Sequence, residues 1–343
     1  MHKTRNLWPW AGLWNVQRGY FILPRFLILA DRQTFRMKLF SSLTPPKLAT
    51  LLATVLLGLA GSIPVLQAQE VSSQSLGNDL TLISGTGTNI LVKELADGSA
   101  LVVDGGLEQY ASRTLAAINE ATGDANISLL VNTHWHPEQT GLNRVLAERG
   151  VTIFAHENTR QWLTTDITRP WENRRFEPLP VSAQPGETFF HYGTMDAGGT
   201  EVLYGYLRQA HTDGDMYIYL PEDNILHAGG VIANDGWPLV DWWTGGWIGG
   251  LVNGLEVLLE IANDDTIIIP ASGAVISKAE LQAMRDMYNT IFQRISEGFR
   301  AANSVEDTLE QAPTAEFNAI YGDPESFVRR SHESLVPHYT PDA

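Results

Sequence analysis

The stretch NTHWHPEQTG, residues 132–141, closes the apolar run ISLLV and sets two histidines two positions apart. In a strand, side chains at i and i+2 leave the same face. His134 and His136, at the end of such a run, therefore point the same way and can reach one ion. Pro137 ends the extended run, and a helix start follows at Thr140 and Gly141. A third histidine, His211, stands in QAHTDGDMYIY, again between two strand-like runs, in a turn shaped by Gly214. Three neutral imidazoles from loop ends make a tetrahedral zinc site with its fourth position open to water. The chain has no cysteine, so any metal must be held by His and carboxylate groups, and disulfides are excluded.

Outward from this loop, strand-like runs recur. They are LTLIS (80–84), NILVKE (89–94), ALVVD (100–104), ISLLVN (127–132), VTIFA (151–155), EVLYGYLR (201–208), MYIYL (216–220), NILHA (224–228) and TIIIP (266–270). Helical spacing appears at 109–121, 142–149 and 249–262. The mixture of hairpin and crossover connections predicts an α/β domain with mixed sheets over 69–276. From Ser277 the texture changes. A long helix is expected there, capped by Ser277 with Glu280 three residues on, and shorter helices near 304–312 and 324–336. This segment, 277–343, reads as packing on the domain or as a dimer surface. The loop 165–184, with Arg169, Arg174, Arg175 and several prolines, is either a flap over a substrate or a plain surface loop.

The first 68 residues read differently. From Met37, Lys38 and Lys47 precede the apolar run LATLLATVLLGLAG and the small-residue site Leu66-Gln67-Ala68, the pattern of a cleavable export signal over 37–68. The upstream 1–36, with five arginines and Trp8, Trp10 and Trp14, is expected to be an extension that is not translated. Cleavage before Gln69 removes 68 of 343 residues and leaves 275. It also removes eight of the 23 basic residues and one of the 39 acidic ones, so the formal net charge moves from −16 to −23. A surface of that sign repels nucleic acid and anionic lipid. The expected protein is exported, periplasmic and free of stable membrane insertion after cleavage. Its partner is a small molecule, and a homo-oligomer is open.

Over most of residues 75–290 the chain resembles the metallo-β-lactamase superfamily. LVVDGG (101–106), NTHWHPEQTG, AHTDGD (210–215), ILHAGG (225–230) and IPASGA (269–274) are similar to its metal-site motifs and follow the same order. The third of these is similar to that of the branch of exported or quinoprotein-associated hydrolases. The resemblance implies an αββα sandwich with the metal groove at one edge, and a first metal on His134, His136 and His211. The positions that would hold a second metal read Glu138, Gln139, Gly230 and Ser272. Glu138 is one methylene longer than Asp, Gln139 is a weak neutral donor, and Gly230 and Ser272 offer no strong donor. One zinc per chain is therefore expected, with Glu138 as general base for water attack on an ester, amide or lactone. Restoring Asp and His at these four positions is expected to recruit a second ion. The competing reading is an inactive relative that keeps the groove as a binding site.

Other residues carry two readings each. Asp104 supports the histidine loop from behind or caps its Gly-Gly turn, and Asp215 divides in the same way. Asp213 precedes a glycine and is first a turn residue. His227 reads as a core or supporting residue, and His156 as a helix start. Asp241, Trp242 and Trp243, with Trp237 and Trp247, either wall an apolar substrate groove or pack a loop.

Overall fold

The computed structural model describes residues 70–339. The upstream extension, the export segment and the final four residues lie outside them.

Strands β1 (Ser72–Gly77), β2 (Leu80–Ser84), β3 (Ile90–Glu94) and β4 (Ser99–Val103) form an antiparallel meander. Beside β4 lie β5 (Asn126–Asn132), β6 (Thr152–His156) and β9 (Glu187–Phe189), all parallel. The first sheet therefore runs β1-β2-β3-β4-β5-β6-β9. Between β6 and β9 the chain makes a short hairpin, β7 (Ile167–Arg169) with β8 (Arg174–Phe176). The second sheet, β10-β11-β12-β13-β14, is built from Tyr192–Ala197, Thr200–Tyr206, Met216–Leu220, Ile225–His227 and Ile267–Ile269, and only its last pair is parallel.

Alternation along the strands sorts side chains onto two faces. Leu82, Leu91, Leu101, Val103 and Val131 meet Val202, Ile218, Leu220 and Ile269 between the sheets. Their neighbours Ile83, Val92, Val102 and Leu130 face outward, against Leu115 and Ile118 of α1 (Ala111–Thr122) and against Leu142 and Leu146. Two further helices leave the histidine strand, α2 (Pro137–Thr140) and α3 (Asn143–Ala147), and α4 (Glu157–Leu163) follows β6. The outer face of the second sheet is covered by α5 (Ile248–Ile261) and α6 (Lys278–Arg300). The αββα sandwich expected from the resemblance is the architecture found. Each fully buried Leu or Ile in these layers contributes about 1.5–3 kcal/mol relative to an exposed one.

The helix expected from Ser277 is present, with its capping box: the Ser277 side chain accepts from Glu280 N while Glu280 holds the Ser277 backbone. Its apolar stripe, Leu281, Met284, Tyr288, Ile291 and Ile295, shares one core with Leu251, Leu255 and Leu258 of α5. The remaining helices are α7 (Val305–Glu310), α8 (Asn318–Tyr321), α9 (Glu325–Glu333) and α10 (Val336–Tyr339). Phe327 and Val328 of α9 enter the same core. Between the packing and dimer readings of this segment, the buried stripe supplies the first. Among the described residues no helix is long and apolar enough to cross a membrane.

Candidate metal centre

The first two histidines are fixed by the end of β5. Asn132, fully buried, donates to the Gln139 carbonyl and to Asn143 Oδ1, which ties the strand end to the helices that follow. His136 is the extended N-cap of α2, and Pro137 fills N1, where a missing N–H costs nothing. Asp104, just past β4, takes a positive φ of 68°, a region that Asp tolerates better than most residues. That turn aims its carboxylate at the loop. It accepts from Thr133 N at 2.8 Å and from Thr133 Oγ1 at 2.9 Å.

His134, His136 and His211 come together with one ring nitrogen each, all within 4.8 Å of one another. Their ring centroids are 4.6–4.7 Å apart and their planes nearly perpendicular, at 80° to 87°. His134 Nε2 and His136 Nδ1 lie 3.1 Å apart. The other nitrogen of each ring is held from outside. Thr133 Oγ1 is 3.2 Å from His134 Nδ1. Asp241 Oδ2 is 2.8 Å from His136 Nε2, and Asp215 Oδ1 is 3.2 Å from His211 Nδ1. Such outer partners set which nitrogen carries the proton and which faces a metal. The inward set is therefore His134 Nε2, His136 Nδ1 and His211 Nε2.

Burial holds His134 and His136 well below the usual imidazole range, and the neighbouring histidines and Arg169 push the same way. Neutral rings are the form that binds metal. Burial also pushes Asp104 up to about 8, against the hydrogen bonds from Thr133, and raises Asp241, against the pull of the Arg169 guanidinium. Metal affinity should depend on these outer carboxylates. Asp241→Asn is expected to weaken binding of a divalent metal about 10–100-fold, read by competition with a chromophoric chelator. An unchanged affinity would show that the Asp241–His136 contact does nothing for the site.

The remaining residues fall differently. Glu138 is half-buried and lines the same cavity as the three histidines, without joining their converging nitrogens. Gln139 is buried. Its Nε2 donates to Thr88 Oγ1 and its Oε1 has no partner. Ser272 donates to Asp235, a cavity carboxylate that no sequence motif singles out. Gly230 lies so close to the rings that a Cβ there would sit 2.5 Å from His211 Nδ1 and 2.8 Å from His134 Cε1. Of the four changes expected together to recruit a second ion, Asp at 230 is therefore the one that would also press on the rings of the first site.

Of the two readings given to Asp241, Trp242 and Trp243, groove wall or packed loop, the structure shows the packed loop. Asp241 is fully buried behind His136, Trp242 donates to Glu333, and Trp243 is half-exposed; none of them lines the histidine cavity. Trp237 does line it. The segment is instead a clamp on the third histidine. Asp241 N donates to the His211 carbonyl, Trp247 N to the Ala210 carbonyl and Asp213 N to the Thr244 carbonyl. Gly246 passes so near that a Cβ would meet His211 O at 2.1 Å. Asp213 accepts from Trp162 Nε1. His156 caps α4 by accepting from Asn158 N.

His227 is fully buried on β13, with Nε2 unpartnered, and burial holds its pKa at about 4 against an ordinary 6.5. A base with a depressed folded pKa stabilises the fold above its unfolded value and loses that contribution as pH falls toward the folded one. Roughly 3 kcal/mol should be lost between pH 7 and pH 4 from this ring. In metal-free protein, denaturant titrations at the two pH values should differ by that much less in His227→Leu than in the wild type. Parallel profiles would mean that the ring does not titrate this way.

The sequence matches the model of the metallo-beta-lactamase superfamily over residues 84–272. No curated protein matches it. Solved structures do. The metallo-beta-lactamase from Pontibacter korlensis shares 16% identity, covering 64% of this chain and 99% of that one, with a TM-score of 0.52. The DIM-1 metallo-beta-lactamase shares 19%, covering 64% and 98%, with a TM-score of 0.51. The IND-7 enzyme shares 14%, covering 65% and 100%, with a TM-score of 0.52. At such identities the likeness is one of fold. The family match spans more than half of the chain and includes all three converging histidines, so the chain belongs to the metallo-beta-lactamase superfamily.

Proposed function

We propose that this protein is a hydrolase that works with a single zinc ion on an ester, amide or lactone. The observation that carries the reading is the pinwheel of three buried imidazoles, each with its outer nitrogen engaged and its inner one free to converge. Three nitrogen donors suit zinc, and a catalytic zinc site keeps a further position open. When bound, the ion supplies Lewis acidity and brings the pKa of a bound water to about 7.

The chain's own groups do the rest. Asp241 and Asp215 hold His136 and His211 in register, and Asp104 does so for His134 through Thr133. Glu138 stands in the cavity with a carboxylate that makes no hydrogen bond or ion pair among the described residues. It takes a proton from the attacking water as the new C–O bond forms. It returns that proton to the departing oxygen or nitrogen as the acyl bond breaks. Trp237, Pro238 and Leu239 add apolar surface to the cavity lining.

The test is metal content by elemental analysis of protein purified without chelators, followed by a panel of esters, lactones and β-lactams. About one zinc per chain and turnover above background that is removed by chelation are expected. Bound zinc with no turnover across the panel would instead favour a binding protein that has kept the groove.

A further inference from the structure

The loop that carries His134 and His136 has a second cavity on its other side. His134, His136, Glu138 and Gln139 line the histidine cavity. Trp135, Pro137, Thr140 and Gly141, interleaved with them along the chain, line a separate space of about 250 Å³. The loop is thus a partition between two cavities. The β7–β8 hairpin is shared in the same way: Arg169 lines the first cavity, whereas Ile167, Arg174 and Phe176 line the second. Trp135, Leu163 and Ile167 form a small core of their own here, with Trp162, Phe176 and Leu179 packed against it.

The lining decides what fits. Its floor is aromatic and aliphatic, and its rim carries no net charge. Arg144 pairs with Glu108, and Arg175 with Asp166 and Glu177. These rim side chains are 42–75% exposed, so the mouth opens to solvent. Arg174 differs. It makes no ion pair or side-chain hydrogen bond among the described residues, and its guanidinium rests 4.8 Å from the Phe176 ring. An apolar body is driven into such a space by burial, and a few polar groups at the edge orient it. A cavity of about 150 Å³ already holds benzene, so this one admits two fused rings. Arg174 can donate to one acceptor on such a ligand.

Trp135 joins the two cavities. It is 2% exposed, and its ring meets His136 at 4.7 Å and Phe176 at 5.4 Å, edge to face in both cases. Its Nε1 donates to Thr244, whose carbonyl accepts from Asp213 N in the clamp on the His211 loop. Close-packed rings of this kind transmit a displacement rather than absorb it.

We propose that the second cavity binds an uncharged aromatic compound of one or two rings bearing a carbonyl or hydroxyl acceptor, and that its occupancy is coupled through Trp135 to metal binding by the three histidines. The binding site stands apart from the hydrolase reading; the coupling requires only a metal at the histidines.

The probe is 3-acetylindole, which has no hydrolysable bond, titrated by calorimetry into zinc-loaded and metal-free protein. A dissociation constant below about 1 mM is expected for a ligand of this size. The two forms should differ in affinity about fivefold or more. Linkage requires the probe to change zinc affinity by the same factor, read by chelator competition. Leu179→Trp, which puts a larger ring into the cavity, should abolish probe binding. Thr165→Trp, at the exposed rim, takes its place if melting shows that variant unfolded. Arg174→Ala should weaken 3-acetylindole about tenfold and indole, which lacks the acceptor, far less. No binding by the wild type, or unaltered binding in the filled variants, would overturn the site. Equal affinity in the two forms would overturn the coupling, and equal losses for both indoles the role of Arg174. If the protein takes up no zinc, the hydrolase reading and the coupling fall together, and the metal-free titration decides the site.

Discussion

Replacing His211 by alanine is expected to empty the metal centre while leaving the sandwich folded. The ring supplies one of the converging nitrogens, and the other two histidines both come from the single loop after β5. Without His211 they form a two-donor site, which zinc does not fill tightly. Removing an outer partner alone costs 10–100-fold in affinity, so removing a ligand should cost more than about a hundredfold. The loop itself has independent support. Asp215 keeps its hydrogen bonds from Thr212, and the clamp from Asp241 and Trp247 acts through the backbone at His211 and Ala210. A melting curve near that of metal-free wild type, with zinc missing from elemental analysis, is the expected pair of results. Wild-type zinc content in this variant would show that the ligand set is wrong.

Glu138→Gln should do the reverse, keeping the ion and losing the chemistry. Gln is nearly the same shape and leaves the three histidines untouched, so zinc content should match the wild type. The amide cannot take a proton from water. A positioned general base contributes about 10²–10⁴-fold, and kcat on whichever panel ester proves best should fall by that much with KM little changed. Equal loss in Glu138→Gln and in a control at Asp235, the other carboxylate on the cavity, would mean that lost charge rather than proton transfer is responsible. An unaltered rate would remove Glu138 from the mechanism.

The layers of the fold were legible because strands buried on both faces carry continuous apolar runs, as in LVV and LLV of β4 and β5. The strands missed were those without that signal. β1, SSQSLG, is almost wholly exposed at the edge of its sheet, and β10, YGTMDA, is an exposed edge as well. β7 and β8 have three residues each. In the site, the histidines announced themselves by spacing, since the strand end does the positioning. Asp241 did not, because its partner His136 is 105 residues away and its neighbours are aromatic. Its indole neighbours suggested a groove, whereas its role is set by tertiary proximity that no local pattern encodes. Arg169 stood out only as one arginine among three in a loop. Its distinction, a buried guanidinium packed against two aromatic rings, exists only once Trp135 and Phe176 enclose it.

The near-contact between Gly230 and two of the imidazoles makes that glycine a gauge of how tightly the rings are gathered. A Cβ added there would stand 2.5 Å from His211 Nδ1 and 2.8 Å from His134 Cε1, so even the smallest side chain is registered first as a displaced ring. The spacing of the three histidines is thus set from one side by the absence of a side chain, and from the others by the carboxylates and hydroxyl behind them.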